Sequence, residues 1–285
     1  MIFSAEQAAE LSPVFKGKGG RLLYEIGIRI AGIDNVIQIH DQVKKMGVPP
    51  GPDFAKGILD VLGVDFLIGN PQRLAFPEGP FIVIANHIYG HIDGIALVDV
   101  IGHVRPKVKV MVNEILMYIE GLLPNFISVN PTGAKEKAAT TTSINGIKNA
   151  LLQLSSGEPL ALFPAGAVAD LKPREGWTIS ERDWQDPAVK LIRKAHVPIV
   201  PIRFFDRNST FYYLLGLIHP NVRLLRLCYE STNKKGTVQR IGIGEVISPE
   251  QQDKIPEEEF KAFLRGSVYN MPLPTEFVHR SELWK

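Results

Sequence analysis

The sequence predicts an α/β fold: a mixed, mostly parallel central sheet flanked by helices, with an N-terminal helical segment. Three observations predict it. Residues before about 64 carry apolar positions at helical spacing and no strand-like run. After that point, short runs rich in β-branched and aromatic residues appear, bounded by Gly, Pro and Asn. Those runs alternate with amphipathic stretches, the pattern of strand–helix units around a parallel sheet.

The elements follow in order. Ser4 with Gln7 resembles a capping box before "AEQAAEL". "GRLLYEIGIRIAG" places Leu22, Leu23, Ile26 and Ile30 on one helical face. "DNVIQIHDQVKKMG" is a further helix, stopped by Gly47 and the Pro49–Pro50 pair, and "DFAKGILDVLG" another, ending at Gly63. "VDFLIGN", "FIVIAN" and "KVKVMVN" read as strands. "ATTTSINGIKNALLQLSSG" is a helix with Ile144, Ile147, Leu151 and Leu154 in register. "EPLALFPAG" is a strand into a turn, "DPAVKLIRKAH" a helix and "VPIVPIRFF" a strand. "RLCYE" and "VQRIGIGEVI" read as late strands, and "PEEEFKAFLRGSVYN" as the closing helix. The one candidate boundary lies near residues 70–80, giving a helical segment over 1–70 packed on a main domain over 71–285.

Composition narrows the function classes. Of the 285 residues, 45% are apolar and 22% charged, which suits a full hydrophobic core. Thirty-two Lys and Arg against 30 Asp and Glu leave a net charge of +2, which argues against a nucleic-acid partner. A single cysteine, Cys228, makes no intramolecular disulfide and no multi-cysteine zinc site, so a reducing cytoplasm is expected. The start "MIFSAEQAAELSP" lacks a basic stretch before an apolar core, so no secretion signal is expected. No run of about 18 apolar residues predicts a membrane span, which leaves peripheral membrane contact open.

The densest chemistry lies in "IVIANHIYGHIDGIAL", where two histidines and an aspartate fall within seven residues. His87 and His91 are four apart and share a face if helical, with Asp93 a possible third metal ligand. The glutamate that follows the first histidine in the helical metalloprotease pattern is absent, so no metal is expected. A base and its orienting acid fit better, since a neutral imidazole takes a proton from an alcohol while a carboxylate fixes its tautomer. His87 and Asp93 are six apart, about 240° around an ideal helix, so a non-helical turn must join them. Gly90 permits that turn, and the Asn86 amide is placed to brace it.

These residues resemble the first motif of the glycerolipid acyltransferase family, the lysophosphatidate acyltransferase or PlsC-like superfamily. Its usual form is His, four residues, Asp. A hemolysin-like subgroup, related to lyso-ornithine and glycine lipid O-acyltransferases, has five intervening residues, as here. "FISVNPTG" stands where the second motif falls, "LFPAGAVAD" where the third falls, and "VPIVPIRF" where the fourth falls. "FFDRNSTFYYLLGLIHPNVR" also resembles the subgroup. The match runs from about residue 50 to 245.

The resemblance implies that His87 deprotonates an acceptor hydroxyl and that Asp93 orients His87. The hydroxyl then attacks the thioester of an acyl carrier protein or coenzyme A, with no covalent enzyme intermediate and no cofactor. No Gly-x-Ser-x-Gly elbow is present, and His91 becomes a spacer, expected as a solvated loop residue. Substrate contacts are expected from Asn86, Gly90, Asn130, Phe163, Pro164, Gly166, Arg203 and Arg207, with backbone N–H groups of the Pro164–Gly166 turn facing the oxyanion. Phosphate-accepting members carry arginine in the second motif, and Glu and Arg in the third. Here those places read Asn130-Pro131 and Ala165-Gly166-Ala167. A phosphate monoester favours arginine, so a lyso-aminolipid is the expected acceptor in place of lysophosphatidate. A lipid acceptor requires the enzyme to sit on the cytoplasmic face of the cell membrane. "FYYLLGLIHP", "LLYEIGIRI" and "EILMYIEGLL" are the candidate contacts, each set against ordinary core packing.

Two other classes stand beside this one: a metal-dependent hydrolase on His87, His91 and Asp93, and a non-catalytic lipid-binding protein. Acyl transfer that survives a chelator separates the first from an acyltransferase. Acyl transfer lost in His87→Ala with lipid binding kept separates the second.

Overall fold

The computed structural model describes residues 33–129, 141–218 and 220–284, together with Gly17 and Gly19. The helices expected around residues 4–11 and 20–32 lie outside them. The first described helices are α1, Ile33–Lys45, and α2, Pro52–Leu62. Pro at its start and Gly63 in the left-handed region at its end delimit α2.

Eight strands form the main sheet, in the order β10-β1-β9-β8-β2-β5-β3-β4. Their ranges are β1 Asp65–Gly69, β2 Ile82–Ala85, β3 Lys109–Asn113, β4 Phe126–Val129, β5 Leu160–Leu162, β8 Ile199–Phe204, β9 Val238–Ile243 and β10 Phe277–His279. The pairs from β8 across to β4 are all parallel. The β8–β9 and β1–β10 pairs are antiparallel, so the sheet is mixed and mostly parallel as expected. A separate hairpin pairs β6, Asp170–Lys172, with β7, Thr178–Ser180. Strand β1 lies between β10 and β9, so the main sheet draws on residues before 70 as well as after.

Helices cover both faces of the sheet. All four residues of β2 are buried, which is why "IVIA" shows no alternation. Val83 and Ala85 pack with Phe54 and Leu59 of α2 and with Ile92 and Ile95 of α3, His91–Gly102. Ile82 and Ile84 face Ala150 and Leu154 of α4, Thr141–Ser155. The same side holds Leu191 and Ile192 of α5, Asp186–Ala195, and a later helix through Phe260 and Leu264. Each such Val, Leu, Ile or Phe side chain contributes roughly 1.5–3 kcal/mol by leaving water.

Two local expectations need correction, and one candidate membrane contact can be placed. "RLCYE" is not a strand but part of α7, Pro220–Thr232, which pairs with α6, Thr210–Ile218. A five-residue apolar-rich run does not distinguish the two periods, and Pro220 supplies a helix start. "EILMYIEGLL", a candidate membrane contact, forms 3₁₀ turns over Glu114–Tyr118 and Glu120–Asn125, with Leu122 buried and Tyr118 and Leu123 exposed. Ile144 faces solvent, although Ile147, Leu151 and Leu154 of the same helix pack inward. Short helices α8, Pro249–Asp253, and α10, Arg280–Leu283, flank the expected closing helix α9, Glu257–Tyr269.

Candidate active site

Strand β2 ends at Ala85 between β8 and β5, and its neighbours run parallel to it. Residues leaving the carboxyl ends of β2 and β5 therefore emerge side by side, the usual place for a site in such sheets. His87 leaves β2 and Phe163 leaves β5. Their rings stack with centroids 4.3 Å apart and planes 21° from parallel.

Between His87 and α3 the chain makes a tight turn at Gly90, with φ 82 and ψ −126. A Cβ there would lie 2.5 Å from Cδ2 of Leu227 on α7. The turn wraps around the Asp93 carboxylate, which is 0% exposed in the first turn of α3. Asp93 Oδ2 accepts N–H groups from Ile88, Tyr89 and Gly90 at 2.8, 2.9 and 3.2 Å. The helix N-terminus adds its own favourable field. The same oxygen lies 2.7 Å from His87 Nδ1. This contact assigns the proton to Nδ1 and leaves the Nε2 lone pair free. Nε2 has no hydrogen-bond partner among the described residues, and the His87 side chain is 19% exposed. A neutral imidazole so held accepts a proton from outside, and the carboxylate behind it stabilises the resulting cation.

The backbone of His87 is fixed from two sides. Its carbonyl accepts the N–H of Ala169 at 2.8 Å. Its N–H donates to Glu181 Oε1. Glu181 is fully buried, and its other oxygen accepts the Tyr269 hydroxyl at 2.6 Å and the Trp184 indole N–H at 3.3 Å. Burial holds the Glu181 carboxyl above the usual carboxylate range, opposed by these donors. Nothing in "ISERDWQ" marks Glu181 as buried; in the sequence it is one more charge in a polar stretch.

Several residues expected at the substrate are otherwise engaged. Asn86 donates to the Phe204 carbonyl at 2.9 Å and accepts the Phe204 N–H at 2.8 Å, which clamps β2 to β8 instead of bracing the turn or facing a ligand. Arg203 donates to the carbonyls of Tyr269 and Met271 and lies over the Phe205 ring. The Gly166 N–H closes on the Phe163 carbonyl at 2.9 Å, and the Pro164 carbonyl accepts the Gln185 N–H at 2.9 Å. That turn is gripped by Arg182, whose guanidinium donates to the carbonyls of Ala165 at 2.6 Å and Gly166 at 3.0 Å. The sequence did not single out Arg182. Arg207 is exposed and has no ion pair among the described residues. Asn130 lies outside the described residues.

His91 is not a solvated loop residue. It opens α3, and its Nε2 lies 2.5 Å from Ser231 Oγ on α7. Burial pushes it down to about 4, so it is neutral at neutral pH. His87 and His91 therefore turn toward different partners, Asp93 and Ser231. No group of three metal-binding side chains occurs among the described residues. Cys228 is half-buried on α7, and burial raises its thiol to about 11, far from a thiolate at neutral pH.

A family model described as "Acyltransferase" matches residues 27–279. A lyso-glycine lipid O-acyltransferase from Phocaeicola vulgatus is 28% identical over 242 residues, covering 82% of this chain and 81% of that protein. A protein of the same name from Bacteroides thetaiotaomicron is 27% identical over 241 residues, covering 82% and 83%. Among solved structures, the 1-acyl-sn-glycerophosphate acyltransferase PlsC of Thermotoga maritima aligns with a TM-score of 0.47 at 16% identity, covering 81% of this chain and 77% of that one.

Proposed function

The chain belongs to the acyltransferase family whose model spans it, and from that premise we propose that it moves a fatty acyl chain from a thioester to the hydroxyl of a lysolipid. The observation that carries this reading is the imidazole of His87, anchored through Nδ1 to Asp93 at 2.7 Å, with Nε2 unpartnered among the described residues. As the acceptor oxygen attacks the thioester carbonyl, its proton passes to Nε2. The tetrahedral intermediate then expels the thiolate, breaking the C–S bond, and the imidazolium returns the proton to sulfur. Asp93 holds the tautomer and stabilises the transient cation. Phe163 keeps the ring in plane, and Glu181 and Ala169 hold its backbone. The donor is an acyl carrier protein or coenzyme A thioester, with no further cofactor.

The acceptor is a lyso-aminolipid, an N-acylated amino acid with a free hydroxyl on its acyl chain. Two observations support this choice. The relatives at 27% and 28% identity are both lyso-glycine lipid O-acyltransferases. The third motif has Ala165 and Ala167 where a phosphate site needs charge, and the nearby Arg182 is already spent on carbonyls. Such an acceptor places the enzyme on the inner face of the cell membrane. No helix among the described residues is long and apolar enough to cross a membrane.

The test supplies the full chain with acyl carrier protein or coenzyme A thioesters and two acceptors, N-(3-hydroxyacyl)glycine and 1-acylglycerol 3-phosphate. Mass spectrometry is expected to show the diacylated glycine lipid, with His87→Ala slower by about 10²–10⁴-fold. Parent-like rates in His87→Ala sink the base. Faster transfer to the phosphate acceptor sinks the choice of head group.

A further inference from the structure

Helix α6, "TFYYLLGLI", carries no charged residue and splits into two faces. Tyr212 and Tyr213 are buried. Phe211, Leu214, Leu217 and Ile218 are 54%, 45%, 43% and 75% exposed. At about 100° per residue these four fall within an arc of about 120°, opposite the tyrosines.

A second apolar anchor stands beside it. Helix α6 packs against β6, and a Cβ on Gly216 would lie 3.0 Å from Asp170 Oδ1. Asp170 is tied to Arg223 of α7 at 3.0 Å, so hairpin and helix pair are locked together. At the tip of the β6–β7 hairpin, Trp177 is 64% exposed with φ 59, a backbone region that non-glycine residues rarely adopt. Arg174 is exposed on the same tip and has no ion pair among the described residues, like Arg207 just before α6. Arg226 lies over the rings of Phe211 and Tyr229. Glu175 is the acidic member of the tip and sits 3.4 Å from Lys172.

We propose that the exposed stripe of α6 and Trp177 of the β6–β7 hairpin form the surface that docks on an anionic bilayer. An exposed aliphatic and aromatic stripe rimmed by arginines matches the acyl and headgroup layers of such a membrane. A tryptophan suits the boundary between them. Position supports the same partner. Ala169, the residue before β6, holds the His87 carbonyl and also accepts from Arg223 at 2.8 Å. The helix pair that carries the stripe is thus tied through Ala169 to the backbone of the base. The surface rests on the lysolipid reading, but its test needs no turnover, so either can fail alone.

The full chain is sedimented with vesicles of phosphatidylethanolamine and phosphatidylglycerol. The parent is expected to bind, less tightly as salt rises. The Leu217→Asp/Ile218→Asp double variant is expected to bind at least about tenfold more weakly, since each charge resists entry to the acyl layer. Ile144→Asp/Leu152→Asp, on the exposed face of α4, serves as the control and is expected to bind like the parent. Brominated acyl chains are expected to quench tryptophan emission in the parent and not in Trp177→Phe, because Trp184 is buried and Trp284 stacks on His103. Parent-like binding by the α6 variant, equal loss in the control, or no vesicle binding by the parent overturns the proposal. So does a parent whose mass doubles with concentration while the α6 variant stays monomeric, since the stripe would then serve a second copy.

Discussion

Replacing Asp93 with asparagine separates its charge from its shape. In the native site Oδ2 takes three backbone N–H groups and faces His87 Nδ1, while buried Oδ1 has no partner among the described residues. An asparagine can turn its carbonyl to the first position and its NH₂ to the second. The turn and the imidazole then keep their places, and only the negative charge is lost. Between the 2.7 Å contact and about 4 Å to the centre of the ring, a unit pair is worth about 4–6 kcal/mol at an effective dielectric of about 20. The transition state carries only part of that charge, so kcat is expected to fall by about 10²–10⁴, equivalent to about 2.7–5.5 kcal/mol. The buried NH₂ finds no acceptor and costs about 1–3 kcal/mol of stability. Thiol release from the acyl donor at saturating acceptor reads kcat, and a thermal melt reads the fold. A variant that is folded at the assay temperature and turns over within about tenfold of the parent would show that the carboxylate's charge does not serve the imidazole.

Gly90→Ala is expected to cost about 1–3 kcal/mol from backbone strain alone and to lower kcat, because the Asp93-wrapping turn must open; a parent-like melt and rate refutes this. Glu181→Ala strips acceptors from the His87 N–H, Trp184 and Tyr269. It is expected to lower kcat more than KM and to lose about 2–5 kcal/mol, whereas Glu181→Gln keeps an oxygen for His87 and recovers most of both. His91 is held neutral in the fold, with its pKa lowered from 6.5 to about 4, so the unfolded chain binds the extra proton in that window. Its contribution is complete above pH 6.5 and lost as pH falls toward 4, with a ceiling of about 3 kcal/mol. His91→Gln is expected to flatten the acid limb of urea-unfolding stability against pH, and an unchanged limb refutes the assignment.

What could be read from the sequence divides along physical lines. Strands β2, β5 and β8 were legible because burial on both faces forces continuous apolar runs, and glycine and proline mark their ends. The His87–Asp93 contact was legible because six residues cannot span one helical face, so Gly90 had to break the helix. Direction of side chains was not legible. Asn86 and Arg203 look like ligand contacts in one dimension, yet their partners are carbonyls 118 and 66 residues away, brought close only by the sheet and by α9. Glu181 was missed for the converse reason. Its burial comes from Trp184 and Tyr269, and no local pattern separates a buried carboxylate from a surface one. Helix α7 is not legible because a run as short as "RLCYE" fits either period.

The α6–α7 pair joins the two halves of the proposal. On its inner side, Leu227 fills the space that requires glycine at 90, Ser231 engages His91, and Arg223 fixes Ala169 behind His87. On its outer side it presents Phe211, Leu214, Leu217 and Ile218. A packed helix pair does not deform continuously, so a bilayer docked on the outer face as proposed would position the base relative to the membrane as one body. The distance from lipid surface to His87 Nε2 would then be set by side chains at fixed positions rather than by a linker. Shaving the stripe should therefore raise the apparent KM for a membrane-borne acceptor and leave kcat for a water-soluble one alone.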